Sequence, residues 1–270
     1  MELADRHVVI TGAARGIGRA LAFRIAGERP RALVVADLDG PRAEAVAQEI
    51  GAVAAQVDVR RESDIRALIG GAQAAAGPID LFCSNAGASG AGGGPESSDA
   101  DWQATWEANV MAHVWAAREL LPGMVMRGEG YMLITASAAG LLTQVSALPY
   151  TVTKHAAVAL AEWLAINYGD AGIKVSCLCP QAVKTAMLDL ALAEPIGAAA
   201  LRAGGIVAPE EVAESVVAGI RDEVFLILPH PQVAKSLAYK ASDPDSWLRR
   251  MRSFVREARR SSETSEIGAK

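Results

Sequence analysis

His7-Val8-Val9-Ile10-Thr11-Gly12-Ala13-Ala14-Arg15-Gly16-Ile17-Gly18 opens the chain with a β-branched run, a glycine-spaced turn and the start of an alanine-rich segment. From Ile17 to Ala26 apolar residues recur at helical spacing, so the stretch reads as strand, tight loop and helix. Glycine lets such a loop turn sharply and lets its backbone approach a phosphate. The helix behind the loop offers unpaired N–H groups and a partial positive charge to an anion. Gly12, Gly16 and Gly18 therefore stand where a pyrophosphate-binding turn needs them. A glycine trio alone is an ordinary turn; the flanking strand and helix give this one its meaning.

The same alternation continues along the chain. After His7–Thr11, strands are predicted at Ala32–Ala36, Val53–Val57, Ile79–Ser84, Tyr131–Thr135, Lys174–Leu178 and Val224–Leu228, with helical spacing from Ala43 to Ile50 and from Ile65 to Ala76. Strand and helix repeated this way imply a parallel sheet with helices on both faces. The strands are apolar throughout rather than alternating, as expected where both faces are covered. The fold class is α/β, doubly wound and Rossmann-type. No Pro/Gly/Ser-rich linker divides the chain, so one domain is expected over residues 1–260, with a C-terminal helical extension over about 231–260 and a disordered polar tail at 261–270.

Composition narrows the function. Of 270 residues, 51% are hydrophobic but only 5% aromatic, which suits small side chains packed closely in a core. A net charge of −5 argues against nucleic acid as a partner. No apolar stretch approaches the roughly 20 residues of an integral membrane segment. The first strand starts too early to leave room for a secretory leader, and Cys83, Cys177 and Cys179 are sparse and lack metal-ligand spacing. A cytoplasmic location and no metal are expected.

Asp37 ends the second strand about twenty residues beyond the glycine loop, where an acid can bind the adenosine ribose. A carboxylate there repels the extra phosphate of NADP, so NAD is favoured. Arg15, inside the loop, is the counterweight, and capping of a helix is the plainer role for Asp37. Asp58 follows the third strand, where it can meet the adenine amino group or cap the next helix.

Tyr150-Thr151-Val152-Thr153-Lys154 places a phenol and an ammonium on one helix face. A neighbouring cation favours phenolate and brings proton transfer toward neutral pH. A Tyr–Lys pair at this spacing is common on solvated helices, but Ser137 follows the fifth strand thirteen residues earlier. Gly12, Asp37, Asp58, Asn85, Ser137 and Pro180 all follow predicted strands, and ligands of open α/β sheets bind beyond the carboxyl ends of strands.

With these pieces in family order over roughly the first 190 residues, the chain resembles the compact branch of the short-chain dehydrogenase/reductase family. The matching pieces are Thr11–Gly18, Asp58, Asn85-Ala86-Gly87, Asn109, Ser137, Tyr150-x-x-x-Lys154 and Pro180 through Thr185. The resemblance implies a seven-stranded parallel sheet and these roles. Tyr150 is the general acid/base, and Lys154 lowers its pKa and holds the nicotinamide ribose. Ser137 bonds the substrate oxygen. Asn109, within the long helix after the fourth strand, holds a water that relays protons to Lys154. Arg15 and Ile17 in the loop, Val59 beside Asp58, and Asn85, Ala86 and Gly87 border the cofactor. Pro180, Val183 and Thr185 border the nicotinamide end. A homodimer or homotetramer is implied, with the helices of Asn109 and Tyr150 at one interface. Two positions depart from the family pattern: Ser84 stands for the usual asparagine and Gln181 for the usual glycine.

The segments after Ser137 and Pro180 hold no arginine or histidine, and Lys184 is the one nearby cation, so a neutral, mainly apolar secondary alcohol or ketone is the expected small-molecule partner. A 3-oxoacyl thioester reductase, a non-catalytic NAD-binding sensor and a nucleotide-sugar epimerase are the alternatives; the last needs more C-terminal sequence than the chain has. In Asp245–Arg260, Trp247, Leu248, Met251, Phe254 and Val255 form an apolar stripe among arginines; a membrane-surface helix carries such a stripe, but a helix docked on its own domain or on a partner subunit is the favoured reading.

Overall fold

A computed structural model describes residues 1–90, 92–192, 196–198 and 205–267. Among the described residues the main elements are β1 (His7–Thr11), α1 (Gly16–Ala26), β2 (Ala32–Asp37), α2 (Gly40–Ile50), β3 (Val53–Gln56), α3 (Glu62–Ala76), β4 (Leu81–Ser84), α4 (Asp99–Trp106), α5 (Ala112–Arg127), β5 (Gly130–Thr135), α6 (Leu148–Tyr168), β6 (Ile173–Leu178), β7 (Ala182–Val183), α7 (Ala186–Leu192), β8 (Ile206–Val207), α8 (Pro209–Arg221), β9 (Leu226–Ile227), α9 (Gln232–Ser242) and α10 (Pro244–Ile267). Seven strands form one parallel sheet in the order β3-β2-β1-β4-β5-β6-β9. The expected doubly wound sheet is present, with its strands shifted by at most a few residues from their predicted ends.

Both faces are covered, which explains the apolar strands. Val9, Val34, Phe82 and Met132 pack against α3, α5 and α6. Their neighbours Val8, Ile10, Val35 and Leu133 turn to the opposite face, against α1, α2 and α8. Successive side chains of a strand point to opposite faces, so each strand supplies both cores.

Connections reverse direction between β1 and β4, and the crevice beyond the strand ends lies there. Register aligns the rim: Thr11 pairs with Ala36, Ser84 with Ile134 and Thr135 with Leu178. Asn109 does not sit in a continuous α-helix. Glu107–Met111 forms a π-helical turn between α4 and α5, a single-turn widening of the kind that often marks functional sites. A two-stranded ribbon of β7 and β8 was not expected; it fixes Val183 against Val207. At the C-terminus α9 and α10 form a helical pair, and α10 runs through Ile267, into the stretch expected to be disordered. Residues 268–270 lie outside the described residues.

Candidate active site

Thr11, at the end of β1, ties three strands together. Its hydroxyl accepts the N–H groups of Asn85 (3.0 Å) and Ala86 (3.1 Å), while the Asn85 amide donates to Thr11 O (2.9 Å). Thr135 at the end of β5 donates to Asn85 Oδ1 (3.2 Å). The glycine loop leaves this anchor with Gly12 at φ +67°, where an added Cβ would stand 2.8 Å from Ala86 Cα. A Cβ on Gly18 would stand 2.0 Å from Gly12 O. No side chain caps the first turn of α1, so its N–H groups remain available to an anion. The Thr185 methyl group approaches Gly16 to 3.0 Å from where its Cβ would be, which brings Thr185 over the loop. This cradle of missing side chains and free N–H groups fits a dinucleotide pyrophosphate.

Asp37 is buried at the tip of β2. It accepts the N–H groups of Ala14 (2.9 Å) and Asp39 (3.0 Å), so it braces the loop. It is no helix cap; Asp39 caps α2. Arg15 is exposed and lies 3.9 Å from Asp39. Asp58 is paired with Arg60 at 2.8 Å, and that hydrogen-bonded guanidinium holds its carboxyl below the usual range. Nor does Asp58 cap α3, whose N-cap is Arg61. Val59 packs on the core beside it.

Ser137 follows β5 and opens a 3₁₀ turn, its hydroxyl accepting Ala139 N–H (3.1 Å) and donating to Pro180 O (3.4 Å). Tyr150 lies in the first turn of α6, whose start is favoured by Pro149. One turn on, Lys154 is buried with Nζ 5.7 Å from the centre of the Tyr150 ring, and it donates to Thr135 O (2.9 Å). Gly87 makes room for this arrangement, since a Cβ there would stand 2.8 Å from Asn109 Oδ1 and 3.3 Å from Lys154 Nζ. Asn109 is fully buried. Its amide clamps Ala88 through both backbone groups (2.9 and 2.8 Å) and donates to Thr153 Oγ1 (3.1 Å).

Electrostatics depart from the sequence expectation. Burial pushes the Lys154 ammonium down to about 8, against weaker pulls from Cys179 and Cys177. Burial pushes the Tyr150 phenol up, and a hydrogen bond with Ser137 opposes it. Desolvation thus sets the direction for Tyr150, and the group that opposes it is the Ser137 hydroxyl rather than the Lys154 ammonium that the spacing suggested.

Several contributors are invisible in sequence spacing. Ser84, the departure before Asn85, meets His113 Nδ1 at 2.6 Å. Burial, with the nearby Lys154 charge, keeps His113 neutral down to about 3. His230 accepts Gln181 N–H at Nδ1 (3.1 Å) and lies 3.1 Å from Ala182 O at Nε2, so it fixes the turn that carries Val183 and Thr185. Thr135, Thr153, His113 and His230 come from four separate elements; only the strand-end position of Thr135 could have flagged any of them. Among the described residues no group of acids, histidines and cysteines could hold a metal, and no helix is long and apolar enough to cross a membrane.

Comparison with known proteins agrees with this geometry. Residues 6–194 match the sequence model of the short chain dehydrogenases. The 17-beta-hydroxysteroid dehydrogenase 13 of Rattus norvegicus is 30% identical over 255 residues, 92% of this chain and 82% of the relative. The 1-deoxy-11-beta-hydroxypentalenate dehydrogenase of Streptomyces exfoliatus is 35% identical over 206 residues, 73% of this chain and 74% of the relative. A solved short chain dehydrogenase/reductase from Burkholderia phymatum, in complex with NAD, superimposes with a TM-score of 0.81 at 31% identity, covering 91% of this chain and 96% of that one. A cradle for a dinucleotide beside a half-buried Tyr150 and the buried Lys154 and Ser137, on a sheet of this order and with these relatives, places the chain in the short-chain dehydrogenase/reductase family as an oxidoreductase built on an NAD-binding Rossmann domain.

Proposed function

We propose that this chain interconverts a secondary alcohol and a ketone with NAD(H), on a substrate whose body is mainly apolar. One observation supports the reading: Ser137, Tyr150 and Lys154, from the end of β5 and two turns of α6, come together, with Lys154 against Gly87, whose neighbour Ala86 packs on Gly12 of the loop. Bound NAD(H) supplies or accepts the hydride. Tyr150 passes the proton to or from the substrate oxygen, which Ser137 holds by a hydrogen bond. Lys154, anchored on Thr135 O, keeps a cation beside the phenol and takes the nicotinamide ribose hydroxyls. A water beside Asn109 completes a proton path to Lys154. Gly12, Arg15, Gly16, Ile17 and Gly18 border the pyrophosphate, Asp58 and Val59 the adenine, and Asn85, Ala86 and Gly87 the middle of the dinucleotide. Pro180, Val183 and Thr185 border the nicotinamide end.

Asp37 favours NAD over NADP, because its buried carboxylate stands at the end of β2 and repels a ribose phosphate. The relative named as a hydroxysteroid dehydrogenase supports an apolar alcohol as substrate class. A homodimer or homotetramer is supported by Trp163 and Ile166, which α6 leaves 54% and 73% exposed.

Tyr150→Phe tests the reaction. Loss of the proton donor is expected to lower turnover by about 10²–10⁴-fold. Titration with NAD, followed by calorimetry, is expected to give an affinity close to that of the wild type. A variant that keeps wild-type turnover would sink the catalytic assignment, and one that loses turnover and NAD binding together would leave Tyr150 a structural residue.

A further inference from the structure

An apolar cavity of about 440 Å³ lies between the loop after Ser137 and the C-terminal helix. Thr143 and Val145 form one wall, Trp247, Met251 and Val255 of α10 the other, and Arg252, Arg256 and Arg259 reach it from the same helix. The segments near Ser137 and Pro180 supply only Lys184, which underlay the expectation of a neutral substrate; the fold carries arginines to that wall from more than a hundred residues away.

The cavity is built rather than incidental. Lys240 on α9 donates to Leu141 O (2.7 Å) and Leu142 O (3.0 Å), fixing the helical pair to the loop. Tyr239 stacks edge-on against Trp247 at 6.0 Å. On its other side the loop is tied to the Tyr150 turn, where Thr151 Oγ1 donates to Gln144 O (2.9 Å) and accepts Gln144 N–H (3.0 Å). The wall of the cavity and the catalytic turn are therefore one braced segment.

Charge identifies the occupant. Pro244–Arg260 holds six arginines against Asp245 and Glu257, in a chain whose net charge is −5. Among the described residues no ion pair joins Arg252 or Arg256 to an acid; Arg256 donates to Ser253 Oγ (2.8 Å). Exposed guanidinium groups over an apolar floor match a hydrocarbon body that ends in an oxyanion.

We propose that this cavity binds the distal end of the substrate, and that the substrate is an apolar alcohol or ketone carrying a terminal carboxylate, held by Arg252 and Arg256. The assignment deepens the proposed reaction and rests on it for the word substrate. The cavity itself is tested without chemistry. With NAD at saturation to fill the dinucleotide site, fluorescence titration compares 8-anilinonaphthalene-1-sulfonate with N-phenyl-1-naphthylamine, the same ring system without the anion. The ratio of the two affinities is expected to fall about tenfold in R252A/R256A, the size of a lost charge-assisted contact. R252Q/R256Q repeats the test should the alanine variant not fold. A ratio that stays near the wild-type value overturns the proposal, as does an equal loss of both probes.

A second arm measures kcat/KM for 12-hydroxyoctadecanoate against its methyl ester. Preference for the acid in the wild type, reduced in R252A/R256A, is expected; preference for the ester overturns the carboxylate assignment. Should neither compound turn over, the fluorescence ratio still decides the cavity, while Tyr150→Phe decides the reaction.

Discussion

At the scale of the residue, the site is governed by desolvation. Lys154 has a folded pKa of about 8 against an ordinary value of 10.5. The folded state therefore binds this proton less tightly than the unfolded chain. Below about pH 8 both states are charged and the full cost of burial is present, about 3 kcal/mol; it fades as pH rises toward 10.5. Lys154→Met removes that cost and gives up the bond to Thr135 O, worth about 1 kcal/mol. Calorimetry is expected to show a higher Tm at pH 7, with the gain shrinking by pH 10, in a protein that no longer turns over. The raised Tyr150 phenol sets the sign of the pH profile. Alcohol oxidation needs phenolate, so its kcat/KM is expected to rise on the alkaline side of neutral, whereas ketone reduction needs the phenol and holds through neutral pH. An oxidation optimum in acid would contradict this. Asp37 has two duties, repelling a ribose phosphate and holding Ala14 N–H. Asp37→Ser is expected to shift selectivity toward NADPH by about tenfold or more while weakening NADH, as read from kcat/KM with each.

At the scale of the element, the π turn at Glu107–Met111 is the least ordinary piece of backbone. It brings Asn109 to the one place where its amide reaches both Ala88 groups and Thr153. Asn109→Ala would leave the half-buried Ala88 N–H and C=O without their side-chain partner, at about 1 kcal/mol each. Thermal melts are expected to show a lower Tm together with lower activity, whereas Tyr150→Phe lowers activity alone. An Asn109→Ala variant with wild-type Tm would show that the clamp contributes little. The sequence carried no sign of the widened turn, because helical spacing over Asp99–Arg127 is compatible with an unbroken helix. Nor did it show the β7–β8 ribbon, whose two-residue strands are too short for any periodicity.

At the scale of the whole molecule, both cores come from one sheet. Exposed apolar side chains on α6 leave a surface suited to a second copy of the chain. Trp163→Glu with Ile166→Glu is expected to convert an oligomer to monomers by light scattering, and a wild-type mass in that variant would remove α6 from the interface.

The sequence by itself determined the doubly wound sheet, the glycine loop and the Tyr150–Lys154 face, since each is written in local spacing: strand and helix periods, glycines where side chains cannot fit, and four residues per helical turn. Tertiary structure alone decided how far burial moves the Tyr150 and Lys154 protons, which histidines brace the site, and that arginines near residue 252 face the loop after Ser137. Those outcomes depend on solvent exclusion and on contacts between elements distant in the chain, and neither quantity is a property of any short stretch of residues.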